Sequence, residues 1–162
     1  EYCYSLLREI SNAGHTIGIH SASHDYEKIY ASVDAFLEDF NEAYEIVLEA
    51  TGKAPDIYRF PGGSVNDYNE KTRDDIIVEM DRRGFTYFDW NVDSNDWQGY
   101  GWTTLYTNVL KDAEEFSSPV ILFHNTGDRD NTVLVIEDII KALKNKGYKF
   151  GSLSQKIKPV QF

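Results

Sequence analysis

Two of the four histidines in this chain lie within five residues of each other, in the segment GIHSASHDY at residues 18–26. Two neutral imidazoles four residues apart, such as His20 and His24, can bind one divalent metal ion across a helical turn or a strand-to-helix junction. Ser21 is suited to cap the helix that would carry His24. A hydrogen-bonded histidine pair without a metal explains the same spacing. A catalytic zinc also needs a third protein ligand, so a carboxylate must come from elsewhere.

The segment RFPGGS at residues 59–64 predicts a loop that can face a ligand. Arg59 stands beside Pro61, which restricts the backbone, and beside two glycines, which permit conformations that expose backbone N–H groups. Such donors can stabilise a developing oxyanion. An ordinary turn with a surface arginine explains the same residues.

Two later segments combine titratable and aromatic side chains. DWNVDSNDW at residues 89–97 holds three aspartates and two tryptophans. This composition suits sugar recognition or the orientation of a histidine, and equally a solvated acidic loop beside buried tryptophans. His124 closes the apolar segment VILFH at residues 120–124. A histidine in that position is either a catalyst or a buried, hydrogen-bonded residue of the core.

Helical and strand patterns alternate along the chain, which indicates an α/β fold with parallel strands and crossover helices. Apolar residues at helical spacing, Ser32 as an N-cap and glycines as stops predict the helices. These helices are expected up to Ala13, from Ser32 to Gly52, and over about 70–83, 103–115 and 132–146. The strands are expected at 15–20, 57–60, 85–92, 120–124 and 148–153.

The polar residues of interest fall at the ends of these predicted strands. His20 ends the first, Arg59 lies near the end of the second, Asp93 follows the third and His124 ends the fourth. The carboxyl ends of parallel strands share one face of an α/β fold, and that face carries the active site. The sequence therefore predicts that these four residues converge on a single rim.

The composition excludes several classes of protein. The chain has 162 residues, 41% hydrophobic, and is expected to form a single domain. A net charge of −11 argues against binding to nucleic acid or to an anionic membrane. One cysteine, Cys3, excludes an internal disulfide, and no apolar run approaches membrane-spanning length.

Taken together, the motifs resemble those of the polysaccharide deacetylases of carbohydrate esterase family 4, the NodB-homology domain. The family patterns H-[ST]-x-x-H, R-x-P, D-[SAR]-x-D-W and L-x-H match in order and spacing. They fall at residues 20–24, 59–61, 93–97 and 122–124. The resemblance covers nearly the whole chain.

The resemblance implies an irregular parallel (β/α) barrel of about seven strands, related to the eight-stranded barrel. About five strands are expected here, so the barrel is expected to be N-terminally truncated. Residues 1–162 would then be a single catalytic domain, incomplete at the N-terminus. The family's first motif, T-F-D-D-G, which supplies the catalytic base and the third metal ligand, is absent. Gly62 also stands where many members have an aromatic residue.

The family reaction is metal-dependent hydrolysis of N-acetyl groups on N-acetylglucosamine units of peptidoglycan or chitin-like polysaccharides. By this resemblance, His20 and His24 would hold a divalent metal, zinc being favoured. Pro61 and Gly62 would belong to the substrate-binding loop, with the Gly62 N–H sharing the oxyanion. Arg59 would orient the catalytic carboxylate that the chain lacks.

The resemblance also implies roles for the later motifs. His124 would protonate the departing amine as general acid, and Asp93 would hold that imidazole in place. Trp97 and Leu122 would wall the acetyl pocket.

Several expectations follow for the chain itself. Its metal affinity should be weak and its deacetylase activity negligible without the missing motif, and open sheet edges should favour self-association. The parent protein is expected to act outside the cytoplasm on N-acetylated polysaccharide. A non-catalytic carbohydrate-binding relative, with sugar stacking on Trp90, Trp97, Tyr100 and Trp102, is the alternative function. A structural α/β domain whose histidines never meet a metal is a third hypothesis.

Overall fold

The computed structural model describes residues 2–127 and 130–162, which fall into two compact units. The first unit holds the described residues of Glu1–Asp89 together with Ser152–Phe162. The second holds those of Trp90–Gly151. The assignment of all 162 residues to one catalytic domain stays a prediction.

The first unit contains four helices and two short strands. Its longest helix begins after Ser32, whose Oγ accepts the N–H of Ala35 at 3.1 Å, and ends at Gly52 in the left-handed conformation. Both ends confirm the sequence prediction, since side-chain capping and glycine stops are local signals. The elements are α1 (Tyr2–Asn12), α2 (Tyr26–Ile29), α3 (Val33–Thr51), β1 (Ile57–Tyr58), α4 (Arg73–Arg82) and β2 (Thr86–Tyr87).

Strands β1 and β2 pair in parallel, with Ile57 opposite Thr86. The strand predicted at 15–20 is reduced to a single parallel bridge between Ile19 and Tyr58. Gly18 allows this approach, because a Cβ there would lie 3.1 Å from the Ile57 side chain and carbonyl. Buried aromatic and aliphatic side chains from α3, α4 and the strands form the core, among them Phe36, Phe40, Phe60, Ile76 and Met80.

The second unit also contains one pair of parallel strands. Strands β3 (Val92–Asp93) and β4 (Ile121–Leu122) pair with Val92 opposite Ile121. Helices α5 (Trp102–Ala113) and α6 (Asp130–Asn145) pack with them. The core consists of Val92, Leu105, Val109, Ala113, Val135, Ile139 and Leu143.

The predicted strands were too long. The segment 85–92 forms β2 and the start of β3, in two different units, rather than one strand. The closing strand predicted at 148–153 does not form. There the N–H of Tyr148 donates to Leu143 O at the end of α6, and its hydroxyl donates to Ala113 O. This segment therefore caps helices instead of joining a ladder.

No helix in the described ranges combines the length and apolar character needed to cross a bilayer.

Candidate active site

The two histidines of the first motif lie side by side in the first unit. The ring centroids of His20 and His24 are 5.1 Å apart, and both residues are exposed. His20 Nδ1 lies 2.9 Å from the carbonyl oxygen of Arg59. Because a carbonyl only accepts, Nδ1 carries the hydrogen, and in the neutral form of the ring the lone pair is on Nε2. Metal-binding histidines are commonly oriented by such a bond through their other nitrogen.

A buried carboxylate from α3 shapes the loop that carries His24. Asp39 accepts from the Ser21 hydroxyl at 2.6 Å and from the backbone N–H groups of Ala22 and Ser23 at 3.0 and 2.9 Å. Burial by itself raises the pKa of Asp39, but these hydrogen bonds outweigh it and the pKa is lowered. Asp39 is therefore held as a carboxylate, and the loop is tied to α3.

Ser21 does not cap a helix, contrary to the prediction. Its Oγ accepts the N–H of His24 at 2.8 Å and closes a turn, in which His24 has a φ of 54°. The N-cap of α2 is Asp25, which accepts from Lys28 N. The sequence pattern missed this short helix because its four residues are too few to show periodicity.

The histidine pair fits two of the ligands of a metal site. Two imidazoles near each other, one of them already oriented by a carbonyl, suit zinc or a similar ion. Within residues 2–127 and 130–162, no group of three His, Cys, Asp or Glu side chains is placed to hold a metal ion. Metal binding therefore stays a prediction.

The conformation of the loop after Arg59 depends on its two glycines. Gly62 and Gly63 have φ values of 77° and 83°, which residues with a side chain rarely adopt. Gly62 is exposed, whereas Pro61 is buried and its carbonyl accepts from the Tyr30 hydroxyl at 2.6 Å. A backbone N–H at Gly62 therefore belongs to a rigid loop at the surface of the first unit.

A second buried carboxylate fixes the far side of this loop. Asp89, fully buried, accepts from the backbone N–H of Ser64 at 2.8 Å and from its hydroxyl at 2.6 Å. Asn69 donates to the carbonyls of Gly63 and Ser64 at 3.3 and 3.2 Å. The composition of residues 89–97 predicted a solvated or sugar-binding loop, whereas the Asp89 carboxylate is part of the core that supports residues 59–64.

The Arg59 side chain points into the first unit. Its Nε donates to the carbonyl of Phe88 at 3.0 Å, and Nη2 lies 3.4 Å from that of Asp89. Burial lowers the pKa of Arg59, and the charge of Asp89 opposes that effect. The orientation of a catalytic carboxylate by Arg59 stays a prediction.

In the second unit, His124 pairs with Asp96 and not with Asp93, so the predicted partner was wrong. Asp96 Oδ1 lies 2.7 Å from His124 Nδ1, and Oδ2 accepts the His124 N–H and the Thr132 hydroxyl, both at 2.8 Å. Asp93 instead accepts the N–H of Asn95 at 2.8 Å. The carboxylate of Asp93 is thus used within its own turn.

Asp96 lies in a short helical turn. It begins a 3-10 helix, Asp96–Gln98, after Asn95 in the left-handed conformation. Burial by itself raises the pKa of Asp96, but hydrogen bonds from His124 and Thr132 outweigh it and lower the pKa. An ionised carboxylate only accepts, so His124 Nδ1 carries the hydrogen.

The remaining predicted residues lie in the second unit. Leu122 is buried in β4, and Trp97 has 54% of its surface exposed. Their role as walls of an acetyl pocket stays a prediction. So does the convergence of His20 and Arg59 with His124 on one rim, which was inferred from strand ends.

Comparisons with known proteins identify the family. A family model of polysaccharide deacetylases matches residues 1–79. A peptidoglycan-N-acetylglucosamine deacetylase of Bacillus cereus is 30% identical over 151 residues, which is 93% of this chain and 67% of that protein. The catalytic domain of peptidoglycan N-acetylglucosamine deacetylase from Eubacterium rectale is 31% identical, with a TM-score of 0.92 over 98% of this chain and 74% of that chain. The chain belongs to the polysaccharide deacetylase family.

These likenesses also confirm the predicted fold class, a parallel (β/α) barrel of the kind found in carbohydrate esterase family 4. The chain spans about half the length of the first curated relatives that it matches. For the putative polysaccharide deacetylase YheN of Bacillus subtilis, 31% identical, the share is 54%.

Proposed function

We propose that this chain is the catalytic part of a metal-dependent hydrolase that removes N-acetyl groups from N-acetylglucosamine units of a polysaccharide. The observation that carries the proposal is the pair His20 and His24, 5.1 Å apart, with His20 oriented through Nδ1. The names of the relatives support peptidoglycan as the polymer, and chitin-like oligomers share its acetamido group. Such polymers lie outside the cytoplasm, where we place the site of action.

His20 and His24 would hold the metal ion, for which zinc is proposed, together with a third ligand that is not among the described groups. A divalent ion supplies Lewis-acid polarisation of the acetyl carbonyl and activates water. The Ser21–Asp39 bonds keep His24 in its turn before any ligand arrives. The loop therefore loses little conformational entropy when the metal binds.

The Gly62 loop would stabilise charge on the acetyl oxygen. Hydrolysis of an amide develops negative charge on its carbonyl oxygen, and a rigid backbone N–H can offset that charge without reorganising. The bond from Tyr30 to Pro61 and the positive φ of Gly62 fix the loop in advance. Pro61 serves as the buried anchor of this loop.

His124 would protonate the departing amine. Its Nδ1–H is held by Asp96, so Nε2 is the atom that transfers the proton. The buried carboxylate orients the ring and stabilises the positive charge that a proton donor must carry. Asp96 thus takes the positioning role that the motif resemblance implied for Asp93.

Acetate release from oligomers of N-acetylglucosamine tests the proposal. The protein expressed from the whole gene and the 162-residue chain should both be assayed, with zinc and after chelation. We expect the protein expressed from the whole gene to release acetate in a zinc-dependent manner, and we expect this activity to be lost in His20→Ala and His24→Ala. The 162-residue chain should release very little acetate, because a third ligand is missing from the described groups. Release that persists after chelation and in both variants would contradict the proposal.

A non-catalytic carbohydrate-binding function is the second candidate. It is favoured by the exposed aromatic side chains of the second unit, since Trp97 is 54% exposed and Tyr100 and Trp102 are each 37% exposed. Aromatic rings with one exposed face suit sugar binding. If the protein expressed from the whole gene binds N-acetylglucosamine oligomers but releases no acetate at any metal concentration, this function is favoured.

A further inference from the structure

Two tyrosines extend the histidine pair into a row of rings. Tyr26 begins α2, two residues after His24, and their ring centroids are 5.2 Å apart. The ring of Tyr68 meets that of Tyr26 edge-on, also at 5.2 Å. Tyr26 is half-buried, whereas Tyr68 has 52% of its surface exposed. The row therefore continues from the exposed histidines along the surface of the first unit.

The hydroxyl of Tyr26 lies next to the position that a side chain on residue 62 would take. A Cβ built on Gly62 would lie 3.3 Å from Tyr26 Oη and 3.4 Å from Cζ. Tyr26 therefore contacts both parts of the proposed site, since its ring lies beside that of His24 and its hydroxyl lies beside residue 62. Among the described residues, no hydrogen bond uses Tyr26 Oη.

Tyr68 is fixed to the same loop as Gly62. Its backbone N–H donates to Asn66 Oδ1 at 2.9 Å. Asn66 Nδ2 in turn donates to the carbonyls of Pro61 and Gly63 at 3.2 and 3.0 Å. The exposed ring is thus carried by a braced turn, so its position relative to Gly62 is set before a ligand binds.

We propose that Tyr26 and Tyr68 form the contact wall for the N-acetylhexosamine unit whose acetyl group is removed. The Tyr26 hydroxyl hydrogen-bonds the acetamido group or a neighbouring sugar hydroxyl, and the exposed ring of Tyr68 packs against the C–H face of the pyranose. A phenol presents an apolar ring and a polar tip, the combination that a sugar with both kinds of surface requires. The wall rests on the proposed function, because that function brings the sugar to His24 and Gly62.

The test is calorimetric binding of a β-1,4-linked N-acetylglucosamine tetramer to the chain. We expect Tyr26→Phe, which removes only the hydroxyl, to raise the Kd roughly five- to tenfold. Tyr68→Ala should raise it roughly tenfold, whereas Tyr68→Phe, which keeps the ring, should stay within about twofold. Tyr4→Phe is the matched control, because it removes a hydroxyl bonded to Glu49 in the same unit and should leave the Kd unchanged. Circular dichroism and thermal unfolding check that each variant folds.

The outcomes separate the wall from the proposed catalysis. Tetramer binding that is equally tight in wild type, Tyr26→Phe and Tyr68→Ala would overturn the wall and leave the deacetylase proposal intact. No binding by the wild-type chain would also overturn it. Tetramer binding that weakens in both variants supports the wall. If the protein expressed from the whole gene releases no acetate, that result overturns only the deacetylase proposal.

Discussion

His20 in the first unit and His124 in the second are each held through Nδ1, but by partners of different charge. His20 faces the neutral carbonyl of Arg59 at 2.9 Å, and His124 faces the fully buried carboxylate of Asp96 at 2.7 Å. A carbonyl holds the hydrogen on Nδ1 and so directs Nε2 toward metal binding when the ring is neutral. A carboxylate also stabilises a positive ring, as a proton donor requires. The identity of the partner thus separates two roles for the same side chain.

Removal of the proposed acid should have the largest effect. In the protein expressed from the whole gene, we expect His124→Ala to lower kcat by a factor of roughly 10² or more, because an amine departs poorly without a proton. The measurement is steady-state acetate release at saturating oligosaccharide. Normal turnover in this variant would show that His124 is not the general acid, and that the two histidines do not differ in role in the way proposed.

The Asp96 carboxylate should matter for folding as well. Asp96→Ala leaves the His124 N–H, its imidazole and the Thr132 hydroxyl without their acceptor, so we expect a loss of roughly 2–3 kcal/mol in the free energy of unfolding. Urea unfolding measures it. Asp93→Ala is the matched control, since among the described residues the Asp93 carboxylate accepts within its own turn, from Asn95. A larger loss in the control than in Asp96→Ala would return the positioning role to Asp93.

On the metal side of the comparison, Asp39 should act through the His24 loop. Asp39→Asn keeps the size of the side chain but weakens its bonds to Ser21 and Ser23, so we expect zinc affinity to fall by roughly tenfold or more. Calorimetric titration of the chain with zinc measures it. Glu38→Gln removes a neighbouring exposed charge on α3 and should leave the affinity unchanged. An unchanged affinity in Asp39→Asn would show that the loop does not depend on this carboxylate.

The smallest effect is expected from pH. The pKa values of Asp39 and Asp96 are lowered in the folded protein by their hydrogen bonds. Each group therefore adds stability that is fully present above the unfolded carboxyl pKa of about 3.9, and this stability is lost as the pH falls through the lowered folded value. We expect unfolding free energy to drop below about pH 4. Asp96→Asn should flatten this dependence, and an unchanged acid slope would contradict the assigned role of the carboxylate.

Much of the site could be predicted from residue types and spacing. The proximity of His20 and His24 followed from four-residue spacing, and the rigid turn at Gly62 from its glycines. The partner of His124 could not be predicted in this way, because Asp93 and Asp96 are both near in sequence. Only the backbone turn at Asn95 and the contact with Thr132 from α6 select Asp96.

The sequence by itself determined the helices with capping signals, the parallel α/β pattern and the presence of the family motifs. Capping, periodicity and glycine conformation act over a few residues, so the chain encodes them locally. Tertiary structure alone decided that the strands are only two residues long, that Asp39 and Asp89 brace the two loops, and that Tyr26 fills the space beside Gly62. These features depend on side chains brought together from distant segments, and packing rather than local propensity selects such partners.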